Sequence, residues 1–423
     1  MSHPSPPRTT TYGWLVWFLG AAFFAYGFAH RVAPSVMFDY LMRDFAVGAG
    51  ILGNLAACYL YAYGAMQIPI GILLDRLGPR LLLTVAAVVC ASGSFLFAAA
   101  DTLTAAYVGR LLVGAGAGAG FITTLMLANQ WLPPERFAMV SGLTMTVAMI
   151  GAVAGQAPLG AFIDVLGWRT AHDVAGVLGL AFAAAIWFAV RRPTPPRVQS
   201  EATPERPFGR AFASVVRSPQ IWLVAYGCAA LSTPILAFAI LWGVPFLVQV
   251  YGLPRAVAGL GTSLFLIGLA IGAPILGHWS DRLRRRKPII VAAPLVLTAM
   301  WCVVLFVPAV PVPVLFALFF VGGFASGATP ISYAMARDIS SPDLRGTTTG
   351  FVNLFPLAGG AIMQPAIGVL LDWQWDGRLE DGVRVFTASD YAFAFLPFPI
   401  IAALTTLAMA AVRETYGRPP VTV

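Results

Sequence analysis

Long apolar runs alternate along the chain with short polar segments, and twelve of those runs reach about 20 residues, the length needed to cross ~30 Å of hydrocarbon as a helix. They lie near 14–37, 50–73, 80–100, 104–129, 137–162, 171–190, 219–247, 257–278, 288–308, 312–335, 346–371 and 391–412. Lipid offers backbone N–H and C=O groups no partner, which leaves only helices or a closed barrel. Runs of this length predict an all-α integral membrane protein. One polar segment stands apart, "RRPTPPRVQSEATPERPFGR" at 191–210, too rich in proline and charge to cross a bilayer. It divides the spans six and six, predicting one six-helix bundle over 1–190, a cytoplasmic linker over 191–218 and a second six-helix bundle over 219–423.

Composition agrees and narrows the choice. Only 10% of residues are charged and 59% are hydrophobic, against ~25% charged in soluble domains. The net charge of +8 is carried almost wholly by arginine, clustered in segments between the apolar runs. That placement sets topology and excludes a nucleic-acid partner. With the N-terminus inside, 19 of the 26 Lys and Arg residues fall on the cytoplasmic side, so both termini are expected there, in a cell (inner) membrane. The polar, proline-rich "MSHPSPPRTTTYGW" has no signal-peptide pattern. Cys58, Cys90, Cys228 and Cys302 occur singly in apolar segments, so no metal site, disulfide framework or cofactor is indicated.

The two halves echo each other. "GILLDRLGPR" (Gly71–Arg80) follows the second run, and "GHWSDRLRRRK" (Gly277–Lys287) follows the eighth, offset by 206 residues. Gly71, Asp75, Arg76, Gly78 and Arg80 match a loop motif G-x-x-x-D-R-x-G-x-R, and Gly277, Asp281, Arg282 and Arg286 repeat it. "RLLVGAG", Arg110 to Gly116, resembles a fourth-helix motif R-x-x-x-G-x-G of the same proteins. On these residues the chain resembles the major facilitator superfamily. "YGAMQIPIGILLDRLGPR" (Tyr63–Arg80), with an arginine late in the first run, resembles its anion:cation symporter branch, and "RVAPSVM" (Arg31–Met37) resembles bacterial carriers related to phagosomal amino-acid transporters. Gln156 stands where the superfamily's antiporter motif has proline, which weakens a drug-exporter reading.

The resemblance implies alternating access by two pseudo-symmetric bundles, substrate near the midplane, and a monomer. It also implies a cytoplasmic gate at Gly71, Asp75, Arg76, Arg80, Asp281 and Arg282. Beside that reading stands the plainer one, that these are solvated loop charges.

Ionisable residues at membrane depth are functional hypotheses by default. Here they are His30 and Arg31 in the first span and Arg110 in the fourth. Arg31 lies 17 residues beyond Trp14, about 25 Å along a helix. The resemblance places spans one and four on the cavity wall. No mid-span carboxylate accompanies either arginine, so both are candidates for binding an anionic substrate through the guanidinium fork. Arg110 can equally be a structural residue bonded to backbone carbonyls, and Arg31 can equally snorkel to the outer interface. The symporter branch has an aspartate where this chain has His30, so if transport is driven by H+, His30 is the titratable group on offer; it is also a candidate substrate-binding residue, beside the plainer reading of a neutral hydrogen-bonding group.

Tyr59, Tyr63, Trp242, Tyr333, Asn353 and Gln364 are further polar candidates for the cavity wall, or ties between helices. The expected function is secondary transport of a small organic anion or zwitterion: a carboxylate, sugar acid, amino acid or peptide. The competing readings are a multidrug or metabolite exporter and a non-transporting sensor of the same fold. No nucleophile–base set suggests an enzyme.

Overall fold

The computed structural model describes residues 11–133, 136–190, 208–341 and 344–416, with the side chains of Asp75, Ala138 and residues 208–211 left out. Twelve helices among them are long and apolar enough to cross a membrane: Thr11–Ser35, Ala49–Leu74, Arg76–Ala98, Leu103–Trp131, Met139–Leu166, Trp168–Ala189, Pro219–Tyr251, Arg255–Leu283, Lys287–Phe306, Val312–Ile339, Arg345–Gln374 and Ala388–Ala411. They are called spans one to twelve below. Most of the expected linker lies outside the described residues; its end, Phe208–Val216, is a short helix before span seven.

Several spans are broken. Span four divides at Gly118–Ala119, span five at Gly155–Gln156 and span ten at Gly327–Ala328. Span seven is wound as a π-helix over Pro234–Trp242. Breaks of this kind free backbone groups that other helices must satisfy, and in transporters they mark where the helix serves a cavity.

The described residues form two compact units, 11–47 with 54–190, and 48–53 with 208–416. In the first, span one packs along the first part of span five and the second part of span four. Lipid removes the hydrophobic drive between helices, so close van der Waals contact over small residues must hold them. A Cβ on Gly114 would meet the Tyr59 carbonyl, and one on Gly151 would meet that of Ala25.

The second unit is built around aromatic rings instead. Phe238 of span seven meets Trp301, Phe319 and Phe395 at 4.9, 4.9 and 5.5 Å, and Trp301 stacks on Phe398 at 4.5 Å. Each such pair contributes about 0.5–1.5 kcal/mol beyond its buried area. Between spans eleven and twelve a two-residue hairpin pairs Leu379 with Arg384 and Glu380 with Val383.

Candidate functional site

In span one, consecutive residues lie about 100° apart around the helix axis, and His30 and Arg31 accordingly have different surroundings. Arg31 is 9% exposed and faces span two. Its guanidinium carbon lies 4.4 Å from the Phe28 ring centroid, 4.8 Å from that of Tyr63 and 5.2 Å from that of Tyr59. Tyr59 and Tyr63 stack at 5.9 Å, which follows from their i, i+4 spacing on one helix face. The Tyr59 phenol oxygen accepts a hydrogen bond from Arg31, while its own hydroxyl donates to the Gly27 carbonyl at 2.9 Å. Aromatic faces stabilise a cation but accept nothing from N–H groups in the guanidinium plane. Among the described residues no carboxylate pairs with Arg31, and its Nε has no partner.

Arg110 is fully buried and already engaged. Its Nη1 donates to the His30 carbonyl at 2.9 Å and its Nη2 to the Ala56 carbonyl at 3.5 Å. The reason is local. In a helix the His30 carbonyl would accept from the N–H four residues on, but that residue is Pro34, which has none. Arg110 supplies the missing donor and ties span four to spans one and two. Each arginine leaves its Nε without a partner, but Arg110 commits both terminal nitrogens to backbone carbonyls, whereas Arg31 lies among aromatic rings. Both guanidiniums still lie against one ring, Arg110 at 5.5 Å from the Tyr59 centroid.

His30 is turned away from the Arg31 box. Its ring meets Tyr26 edge-on at 4.5 Å and His172 at 5.5 Å. The sequence reading did not select His172, which lies near the start of span six.

In the second unit, Trp242 and Gln364 are buried ties. Trp242 Nε1 donates to the Gln364 carbonyl at 2.9 Å, and Gln364 Nε2 donates to the Leu236 carbonyl at 2.7 Å, joining the π-helical part of span seven to span eleven. Tyr333 and Asn353 form a more open pair, the Tyr333 hydroxyl donating to Asn353 Oδ1 at 2.9 Å. Missed from sequence was Asp372 at the end of span eleven. Its two oxygens accept from Ala49 N and Gly50 N at 2.9 and 2.8 Å and pair with Arg384 at 2.9 Å. A carboxylate there complements the positive N-terminal end of the helix that begins at Ala49.

The loop motif explains itself in its backbone. Gly78 has φ +74°, a conformation glycine adopts without strain, and it kinks the chain sharply near the start of span three. Arg284, 206 residues later, has φ +50°: the turn recurs although the glycine does not. Arg80 lies over the Trp187 ring at 4.4 Å. Gly71 has open space around it, Arg76, Asp281 and Arg282 are exposed, and the Asp75 side chain lies outside the described residues.

The sequence profile of the Major Facilitator Superfamily matches residues 18–260 and 227–421. The chain belongs to that superfamily. It is similar to the hexuronate transporter of Bacillus subtilis, 24% identical over 370 residues, covering 81% of this chain and 84% of that one. It is also similar to a probable sulfoacetate transporter of Cupriavidus necator, 24% identical over 267 residues, covering 60% and 62%. A solved bacterial homologue of the human lysosomal transporter Spinster, inward-facing and unoccupied, superposes with a TM-score of 0.79 at 18% identity, covering 95% of this chain and 98% of that one. This superfamily protein is therefore a multi-pass membrane transporter with the twelve-helix fold.

Its second loop motif carries a charge cluster the sequence reading also missed. Arg286, equivalent to Arg80, pairs with Asp338 at 2.6 Å and more loosely with Asp281 at 3.8 Å. Glu414 accepts from Arg286 N at 2.9 Å and Lys287 N at 3.1 Å, capping span nine, and also from Thr415 N and Tyr416 N. Burial opposes its ionisation, but these four backbone donors outweigh it and hold the carboxyl below the usual glutamate value. A depressed folded-state pKa contributes stability that is present above the unfolded value of ~4.3 and lost as pH falls through the folded one. Glu414→Gln is expected to lower thermal stability at pH 7 by about 0.5–2 kcal/mol, the scale of a lost cap. It should also flatten the acid side of the stability profile between pH 5 and 3, read by intrinsic fluorescence in detergent.

Proposed function

We propose that this chain carries a small organic anion across a bacterial-type inner membrane by alternating access, as a monomer with both termini cytoplasmic. The observation that carries the reading is Arg31, a nearly buried cation set among aromatic rings, whose Nε has no acceptor among the described residues. A carboxylate or sulfonate matches that fork bidentately. The names of the two curated relatives, a hexuronate and a sulfoacetate carrier, point to the same chemistry. A zwitterion would need an acidic partner for its ammonium group, and the Arg31 box offers aromatic rings instead. Tyr63 beside Arg31 supplies a hydroxyl group suited to the polar remainder of a sugar acid.

The test is counterflow in proteoliposomes with labelled hexuronates, sulfoacetate and their uncharged parents. Saturable exchange restricted to the acids supports the proposal. Binding of an acid without flux would favour a sensor, and exchange of uncharged or cationic compounds would reject the anion reading. The role expected of His30 fares differently. Its ring faces His172, Tyr26 and apolar groups, with no carboxylate among the described residues lining that cleft to balance a proton. His30→Ala is therefore expected to keep whatever pH dependence uptake shows in the parent protein. Loss of pH-driven accumulation with counterflow intact would restore His30 as the proton carrier.

A further inference from the structure

Spans one, five and six of the first unit enclose a cleft of about 290 Å³. Its lining is apolar, with Met37, Leu159 and Phe162 prominent, except for His30, His172 and Tyr26. Tyr26 has already donated its hydroxyl to the Ala175 carbonyl at 2.8 Å. His172 Nδ1 lies 3.4 Å from Ser94 Oγ. His30 is 3% exposed, and its Nε2 has no hydrogen-bond partner. A buried polar atom left unpaired is costly enough that native structures rarely keep one, so this atom, on a side chain lining an open cleft, points to something that occupies it.

The chemistry of the occupant follows from the walls. Among the described residues no Asp, Glu, Lys or Arg lines the cleft, so a charged molecule would be buried without a counter-ion. A plain hydrocarbon would fill the space but leave Nε2 unpaired. The lining residues that reach the surface are Ala154 and Pro158 of span five and Val174 and Leu178 of span six. Leu178 lies ten residues into Trp168–Ala189, about 15 Å along the helix, which is mid-membrane depth. Entry is therefore from hydrocarbon. At the interior packing fraction of ~0.74 the cleft takes on the order of a dozen heavy atoms.

We propose that this cleft binds a neutral, membrane-dissolved amphipath with one hydroxyl, a medium-chain alcohol or an alkylphenol, hydrogen-bonded to His30 Nε2. The site is separate from the Arg31 box and independent of the transported anion.

The experiment uses the full chain in lipid nanodiscs and two probes, a diazirine-bearing decanol and the same diazirine on decane, with crosslinked peptides read by mass spectrometry. The alcohol is expected to label residues 154–162 and 174–178, to be displaced by excess unlabelled decanol, and to exceed the alkane there at least five-fold. His30→Leu should erase the preference for alcohol over alkane. Leu178→Trp, at an exposed position that tolerates bulk, should cut alcohol labelling at least five-fold with unchanged thermal unfolding. Equal labelling by both probes, labelling spread evenly around the belt, or labelling indifferent to Leu178→Trp would overturn the proposal, the last two pointing to ordinary lipid contact.

Discussion

Arg31→Lys is expected to weaken binding of the transported anion by about ten- to a hundred-fold, and Arg31→Gln to abolish saturable uptake, both with the fold intact. Hydrogen bonds to charged groups are worth about 1.5–3 kcal/mol, and each 1.4 kcal/mol is a factor of ten. Lysine keeps the charge and can still sit against Phe28, Tyr59 and Tyr63. It loses the planar fork, and with it one of the two parallel bonds to a carboxylate. Glutamine loses the charge as well. The Arg31 guanidinium makes no ion pair among the described residues, so removing it gives up the hydrogen bond to Tyr59 and three ring contacts but strands no charge. Unfolding temperature in detergent should stay close to the parent value. An Arg31→Lys protein with the parent's KM would count against the role.

Arg110→Leu should do the opposite, leaving little protein that survives purification. Its loss strands the His30 carbonyl, which Pro34 cannot satisfy, and opens a gap where spans one, two and four meet. A buried acceptor left unsatisfied costs about 1–3 kcal/mol, and here two carbonyls lose their donor. Size-exclusion profiles and melting curves decide it. The informative contrast is between the two arginines: one variant folds and does not transport, the other does not fold. A well-folded Arg110→Leu protein that fails only in transport would move Arg110 back into the binding site.

The spans and the repeated loop were legible because hydropathy and the D-R pair are local signals. The helix breaks were not. Gly118–Ala119 and the π-helical Pro234–Trp242 lie inside continuous apolar runs, and hydropathy does not register winding. The direction of a side chain around a span that is apolar on all sides is equally hidden. His30 and Arg31 read as one charged pair, yet a 100° step sends one toward His172 and the other toward Tyr59 and Tyr63. That Arg110 answers Pro34 could have been read from the missing N–H, but not which of the available cations would reach it. Asp372 and Glu414 escaped notice because each serves a helix end more than a hundred residues distant in sequence.

The central claim is that Arg31 recognises the negative charge of the substrate. The most direct measurement is equilibrium binding to purified protein of acid and uncharged pairs, such as galacturonate with galactose and sulfoacetate with ethanol, in the parent chain and in Arg31→Gln. The account predicts that the parent binds an acid and not its uncharged partner, and that Arg31→Gln, still folded, binds neither. An acid bound equally well by both proteins would contradict it.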